Sequence, residues 1–292
     1  MNREVFVNTG IEFIADEPMN FHTYYRIGGP AALFIKPKNS SELAQAVKIL
    51  KENSIKYFIL GRGSNILVSD EGYEGCIIDM SAYLNRISVE DEIMRAESGC
   101  TVSAAGLFAE KNGLSGFEEL SGIPGTVGGA VVMNAGCYGS ETKDIIHSVT
   151  VLRDGKEKEL KSEELEFGYR SSNLKGELII SAEFKLKKEK EEDIKVKRLK
   201  YLLLRNEKQP VDLPSCGSVF KRPANDYAGR LIEEAGMKGK SKGGAKVSEK
   251  HAGFIVNTGN ATASDVKSLI EEIKQKVYQK FNVMLEEEVI YL

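Results

Sequence analysis

The chain has 292 residues, enough for a substantial core and, at roughly 150 residues per domain, for about two domains. Lys and Arg number 40 and Asp and Glu 43, a net charge of −3 that argues against a nucleic-acid binder working through a basic surface. No apolar run approaches a membrane span, and acids interrupt the N-terminal stretch where a secretory signal would be apolar, so a cytoplasmic protein is expected.

Taken in chain order, the pattern alternates helices and strands. Ser40 or Ser41 can cap a helix over 41–52 with Leu43, Val47 and Leu50 on one face. The apolar run Tyr57 to Leu60 reads as a buried strand entering the turn Gly61-Arg62-Gly63-Ser64-Asn65, and strand-then-glycine is where α/β proteins seat ligands. Residues 77–80 form a short strand, and 85–98 two strands turning at Asp91. Ser103 can cap a helix closed by Gly113. After a glycine-rich block at 120–136, Val149 to Leu152 and Leu178 to Leu186 read as strands, with a short helix between them capped by Ser162 and including Leu165 and Phe167. Residues 187–208 form a charged helix, and 209–214, with two prolines, the best linker. Tyr227 to Ala235 is a helix ended by Gly236, and a lysine-rich loop spans 238–246. Ser264 caps the clearest helix, 265–281, and Glu288 to Leu292 is a strand.

Glycine is the compositional outlier. There are 28, where a typical usage of about 7% gives about 20, and ten of them (99, 106, 113, 116, 122, 125, 128, 129, 136, 139) crowd into residues 99–139. The turn at Gly61 fails the dinucleotide pattern GxGxxG because Ile66 holds the third glycine position, and Gly239-Lys240-Ser241 fails the P-loop because Glu234 stands at the leading glycine. Glycine turns can still offer backbone N–H groups to a pyrophosphate. Cysteines 76, 100, 137 and 216 form no CxxC pair, and histidines 22, 147 and 251 are scattered, so neither a metal site nor a disulfide framework is expected. His251 reads as structural, Cys137 as packing, and Cys216 as a poor candidate for a catalytic thiol.

The segments Gly61 to Val68 and Gly122 to Ala130 together resemble the flavin-binding half of the UDP-N-acetylenolpyruvoylglucosamine reductase (MurB) family. Thr23-Tyr24-Tyr25-Arg26-Ile27-Gly28-Gly29-Pro30 resembles that family's opening motif. Phe167 to Ser171, Pro214 to Pro223, Gly243 to Ser248, His251 to Asn257 and Leu285 to Val289 follow in family order. The resemblance spans about residues 21–289. Only 12 residues (171–182) separate Arg170 from Glu183, no room for the tyrosine-loop insertion of one subclass, so the chain resembles the shorter second subclass.

The resemblance implies an α+β fold: a two-lobed FAD-binding domain of the kind shared with vanillyl-alcohol oxidase (lobes 1–85 and 86–205), then a C-terminal α/β substrate domain over 206–292. It implies that NADPH reduces FAD, and that FAD then passes hydride to C3 of the enolpyruvyl ether of UDP-N-acetylglucosamine, giving the peptidoglycan precursor UDP-N-acetylmuramate. By this resemblance Arg170 and Glu288 stabilise the enolate and Ser218 protonates C2, with Glu286 or Glu287 as fallbacks should the register of the acidic run shift. FAD is expected against Tyr24, Arg26, Gly61, Arg62, Gly63, Ser64, Asn65, Gly122, Ile123, Pro124, Gly125, Thr126, Gly128, Gly129 and Asn134. Lys208, Lys221 and Arg222 are the candidates for the substrate diphosphate, although the other subclass has asparagine at the place of Arg222. No metal or nucleic acid enters the scheme, and a monomer is expected. The alternatives are another oxidoreductase of the same flavin fold, acting on an alcohol or lactone, and a non-catalytic nucleotide-binding module.

Overall fold

The computed structural model describes residues 4–292. The chain divides into two compact units, one of Met1–Ala15, Leu33–Arg62 and Glu74–Leu204, the other of Asp16–Ala32, Gly63–Tyr73 and Arg205–Leu292. Among the described residues no helix is long and apolar enough to cross a membrane, and no His, Cys, Asp and Glu cluster could hold a metal ion.

Two sheets lie mostly within the first unit. One has the order Phe13–Pro18, Pro30–Ile35, Tyr73–Asp79, Tyr57–Leu60, the last two strands running parallel with Leu60 opposite Asp79. Helix α1 (Ser40–Glu52) buries Leu43, Ala46, Val47 and Leu50 against it, the face its spacing predicts. The cap is Asn39, whose side chain accepts from Glu42 N–H at 2.9 Å, rather than Ser40 or Ser41. The other sheet is antiparallel, in the order Lys156–Lys161, Ile146–Arg153, Leu178–Lys185, Ile93–Glu97, Ile87–Glu90, with Asp91 in a left-handed conformation at the turn between the last two.

Helices α2 (Val102–Lys111) and α3 (Val127–Val132) pack on this second sheet through Val102, Ala105, Ala109, Val127 and Val131. Thr101 caps α2 in place of the expected Ser103. The helix expected from Ser162 to Phe167 is only a 3-10 turn, Ser162–Glu164; Phe167 instead pairs with Ser172 in a hairpin. The charged helix α4 (Glu191–Lys208) starts four residues later than expected, because Lys187–Lys188 pair with Leu114–Ser115 as a short strand.

The second unit is built on the antiparallel sheet Ser215–Ser218, Phe254–Asn257, Ala245–Val247, Ser241–Lys242. Helices α5 (Ala228–Glu234) and α6 (Ala263–Phe281) cover it, α6 through Val266, Leu269, Ile270, Ile273 and Val277. Thr262, not Ser264, caps α6 in a reciprocal box with Asp265. The strand expected over 288–292 is the two-residue Ile290–Tyr291, parallel to Ile66–Leu67.

Candidate active site

In the first unit the glycine-rich block includes a short capped helix and is not turns alone. The short helix α3 contains two glycines, a poor composition for helix, and is held by its surroundings. Val127 N–H donates to Cys100 O at 2.8 Å, Gly128 N–H to Ser98 O at 2.9 Å and Gly129 N–H to Thr126 Oγ1 at 3.3 Å. The N-terminal donors of α3 are therefore spent inside the chain and do not form an anion site. A Cβ on Gly61 would lie 2.4 Å from Thr126 Oγ1, so the two glycine segments far apart in sequence abut each other only because position 61 has no side chain.

Arg170 lies in the hairpin that joins Phe167–Gly168 to Ser171–Ser172. It adopts a left-handed backbone (φ 52°), a conformation that costs an L-residue roughly 1–2 kcal/mol. The hairpin is tied to the end of α3: Ser172 Oγ donates to Val132 O at 2.7 Å, Asn134 Nδ2 to Gly168 O at 3.0 Å, and Arg170 Nη2 to Gly136 O at 3.0 Å. Asn134, expected against FAD, has its side chain bonded within the chain. It is fully buried, its Nδ2 also donates to Glu141, and its Oδ1 accepts from Lys143 N–H, so its side chain shapes the loop. Lys143 holds the Glu141 carboxyl below its usual range, with Asn134 and Arg170 adding to the effect.

In the second unit the opening motif alternates in burial. Thr23, Tyr25 and Ile27 are buried, and Tyr24 and Arg26 point outward. Tyr25 OH donates to Ile255 O at 2.9 Å, and Asn257 Nδ2 donates to Tyr25 O at 3.0 Å. These bonds anchor Arg26, which like Arg170 is left-handed (φ 54°). Asn257 was not singled out from the sequence, although it closes the His251–Asn257 motif; a polar residue ending an apolar run was the available signal.

Ser218 follows a β-bulge. Ser215 pairs with Val256 and Ser218 with Phe254, so the strand carries one extra residue there, and Gly217 takes φ 82°. A bulge of this kind re-aims the next side chain. A Cβ on Gly217 would meet open space, so its replacement tests backbone conformation alone. Gly217→Ala is expected to cost about 1–2 kcal/mol in a urea titration and to slow turnover by moving Ser218; unchanged stability and rate would show that the bulge does not depend on glycine.

Glu288 is brought beside this strand. Glu288 N–H donates to Val219 O at 2.8 Å, Phe220 bridges Glu287, and Lys221 N–H donates to Glu286 O at 2.9 Å. The neighbouring acids have other partners: Glu286 pairs with Lys221 at 3.2 Å, and Glu287 with Lys274 at 2.9 Å and with the Tyr291 hydroxyl. Arg222 is exposed and stacks 4.7 Å from the Tyr227 ring centroid, and Lys208 is exposed at the end of α4. Cys216 is buried, and burial pushes its thiol up to about 12, which removes it as a nucleophile at neutral pH. His251 accepts from Gly253 N–H at 3.1 Å and is held neutral by burial.

The residues fit a flavin dinucleotide. Among the described residues, no chain acceptor takes the N–H groups of Gly125 and Thr126 in the first unit, or those of Gly63, Ser64 and Asn65 in the second. Successive free backbone donors of this kind form a nest for phosphate oxygens.

Comparison with known proteins agrees. Residues 31–161 match the FAD binding domain family model, and 209–292 match the C-terminal domain model of UDP-N-acetylenolpyruvoylglucosamine reductase. The chain is thus a flavoprotein with an FAD-binding domain joined to a second, substrate-specific one. It is 44% identical to the UDP-N-acetylenolpyruvoylglucosamine reductase of Clostridioides difficile over 99% of this chain and 97% of that one, and 47% identical to that of Caldanaerobacter subterraneus over 94% and 91%. The crystal structure of MurB from Thermus caldophilus superposes with a TM-score of 0.81 at 34% identity, covering 96% of this chain and 98% of that one. The chain belongs to the UDP-N-acetylenolpyruvoylglucosamine reductase family, and its length suits the shorter subclass.

Proposed function

We propose that this protein reduces the enolpyruvyl ether of UDP-N-acetylglucosamine to UDP-N-acetylmuramate, with NADPH as reductant and FAD as resident cofactor. The full-length family match supports the activity, and the C-terminal domain match separates it from other oxidoreductases of the flavin fold. The observation that carries the chemistry is Ser218 on its bulge, one residue from the strand contact that holds Glu288.

When bound, FAD supplies hydride to C3 of the enolpyruvyl group. The chain's own residues manage the charge and the proton. Addition at C3 drives negative charge onto C2 and the carboxylate. The Arg170 guanidinium cannot lose its proton and meets that charge, and its side chain is braced on Gly136 O for the purpose. Glu288 helps to stabilise the enolate. Ser218 Oγ gives its proton to C2 and recovers one from solvent; the hydroxyl is a weak acid, but the C2 carbanion is a stronger base.

Lys208, Lys221 and Arg222 are assigned to the substrate diphosphate. The exposed Lys221–Glu286 pair is worth little in water and yields readily to a dianionic ligand. The FAD contacts are assigned to the outward Tyr24 and Arg26, to Arg62, to the backbones of 61–65 and 122–126, and to Gly128 and Gly129 through close packing, since their N–H groups are already bonded. In this reading the lobes 1–85 and 86–205 serve the cofactor and 206–292 the substrate. The protein acts as a monomer in the cytoplasm, where its four free thiols stay reduced.

Purified protein is expected to be yellow and to oxidise NADPH continuously, beyond the one equivalent that reduces its flavin, only when enolpyruvyl-UDP-N-acetylglucosamine is added. A colourless protein that takes up no FAD, or NADPH oxidation indifferent to that substrate, would overturn the assignment.

A further inference from the structure

Glu288 is gripped through its backbone on both sides. Its N–H donates to Val219 O at 2.8 Å, and its carbonyl oxygen accepts from Asn65 Nδ2 at 3.1 Å. The Asn65 carbonyl in turn accepts from Ile290 N–H at 3.0 Å, so Asn65 closes a ring around residues 288–290. Beyond it, Leu292 N–H donates to Leu67 O at 3.1 Å and Ser69 N–H to Leu292 O at 2.7 Å, which ties the rest of the C-terminal strand to the segment following Asn65. The segment that carries Glu288 therefore takes its position from the segment following the glycine turn.

We propose that Asn65 is a positioning residue for Glu288. The Asn65 side-chain amide fixes the peptide that follows Glu288, and with Val219 fixing the peptide that precedes it, the Cα–Cβ direction of Glu288 is set. The bond to Ile290 uses the Asn65 backbone and survives any substitution, so the side chain's part can be separated from it. The amide is committed to Glu288 O, and the free Asn65 N–H is what remains for the cofactor. Leucine has nearly the shape of asparagine but no donor, and the carboxylate of aspartate accepts only and would repel the Glu288 carbonyl. The inference rests on the catalytic reading of Glu288.

The test compares Asn65→Leu and Asn65→Asp, each alone and combined with Glu288→Gln, in FAD-loaded protein. In either variant, amide hydrogen exchange over residues 286–292 is expected to rise about 3- to 10-fold, the loss of one net hydrogen bond. With the protein kept saturated in FAD, flavin reoxidation by substrate should slow by about tenfold or more, and by more than any accompanying change in FAD affinity or in flavin reduction by NADPH. In the Glu288→Gln background the Asn65 change should slow reoxidation no further. Unchanged exchange, fully multiplicative losses, or a defect confined to FAD affinity would each overturn the inference while leaving Glu288 in place. Wild-type turnover by Glu288→Gln alone would instead remove Glu288 from the chemistry, and the inference with it. If neither variant folds, Asn65→Ser, whose hydroxyl is too short to reach Glu288 O, is held to the same outcomes.

Discussion

Ser218→Ala is expected to bind FAD and bleach with NADPH as the parent does, and then to recover its flavin absorbance about 10²- to 10⁴-fold more slowly when the enolpyruvyl substrate is added. The range is that of a positioned general acid. The split between half-reactions follows from the site, since no proton on C2 is needed until hydride has reached C3. Removing one half-buried hydroxyl leaves Gly217 and the bulge in place, so folding stability should change by no more than about 0.5 kcal/mol. The comparison with Gly217→Ala is informative: one variant removes the proton and keeps its position, while the other keeps the proton and moves it. Recovery at the parent rate in stopped-flow absorbance would end the assignment of Ser218 as proton donor.

Arg170→Ala should give a second stalled enzyme, slower in the same reoxidation step by about 10²- to 10³-fold, the usual loss when one electrostatic stabiliser of a developing anion is removed. Two features make it more than a charge deletion. Arg170 braces the hairpin through Gly136 O, and its left-handed backbone is held by the bonds from Ser172 and Asn134. Arg170→Lys keeps the charge but not the planar fork, and is expected to recover only a minor part of the rate. Full activity of the lysine variant would mean that charge alone suffices, and full activity of the alanine variant would remove Arg170 from the site.

Legibility differed by element. Helices α1 and α6 were plain because their apolar faces repeat at helical spacing, and the strand Tyr57–Leu60 was plain because four apolar residues run into glycine. Their caps were misplaced by one or two residues because Ser, Thr and Asn compete on nearly equal terms at an N-cap, and backbone geometry chooses among them. Helix α3 was hidden because its glycines argue for turns, while the carbonyls that make it a helix come from Ser98 and Cys100. The short helix expected after Ser162 gave way to a hairpin because Phe167 finds its partner in Ser172.

The candidate site divides in the same way. Motif order was enough to identify the flavoprotein family, and the resemblance it carries proposes Arg170, Ser218 and Glu288, whose side chains have the chemistry to hold an enolate or donate a proton. The contacts that aim those side chains were out of reach. The Tyr25 hydroxyl meets Ile255 O across 230 residues, and Asn65 meets Glu288 O across 223. Neither contact leaves a periodicity or a local propensity behind, since each partner is ordinary for its own segment. A pairing of that kind exists only when both segments are folded, so tertiary structure alone decided that the Asn134 side chain is bonded inside the chain, that a bulge precedes Ser218, and that the segment following the glycine turn holds the strand just after Glu288.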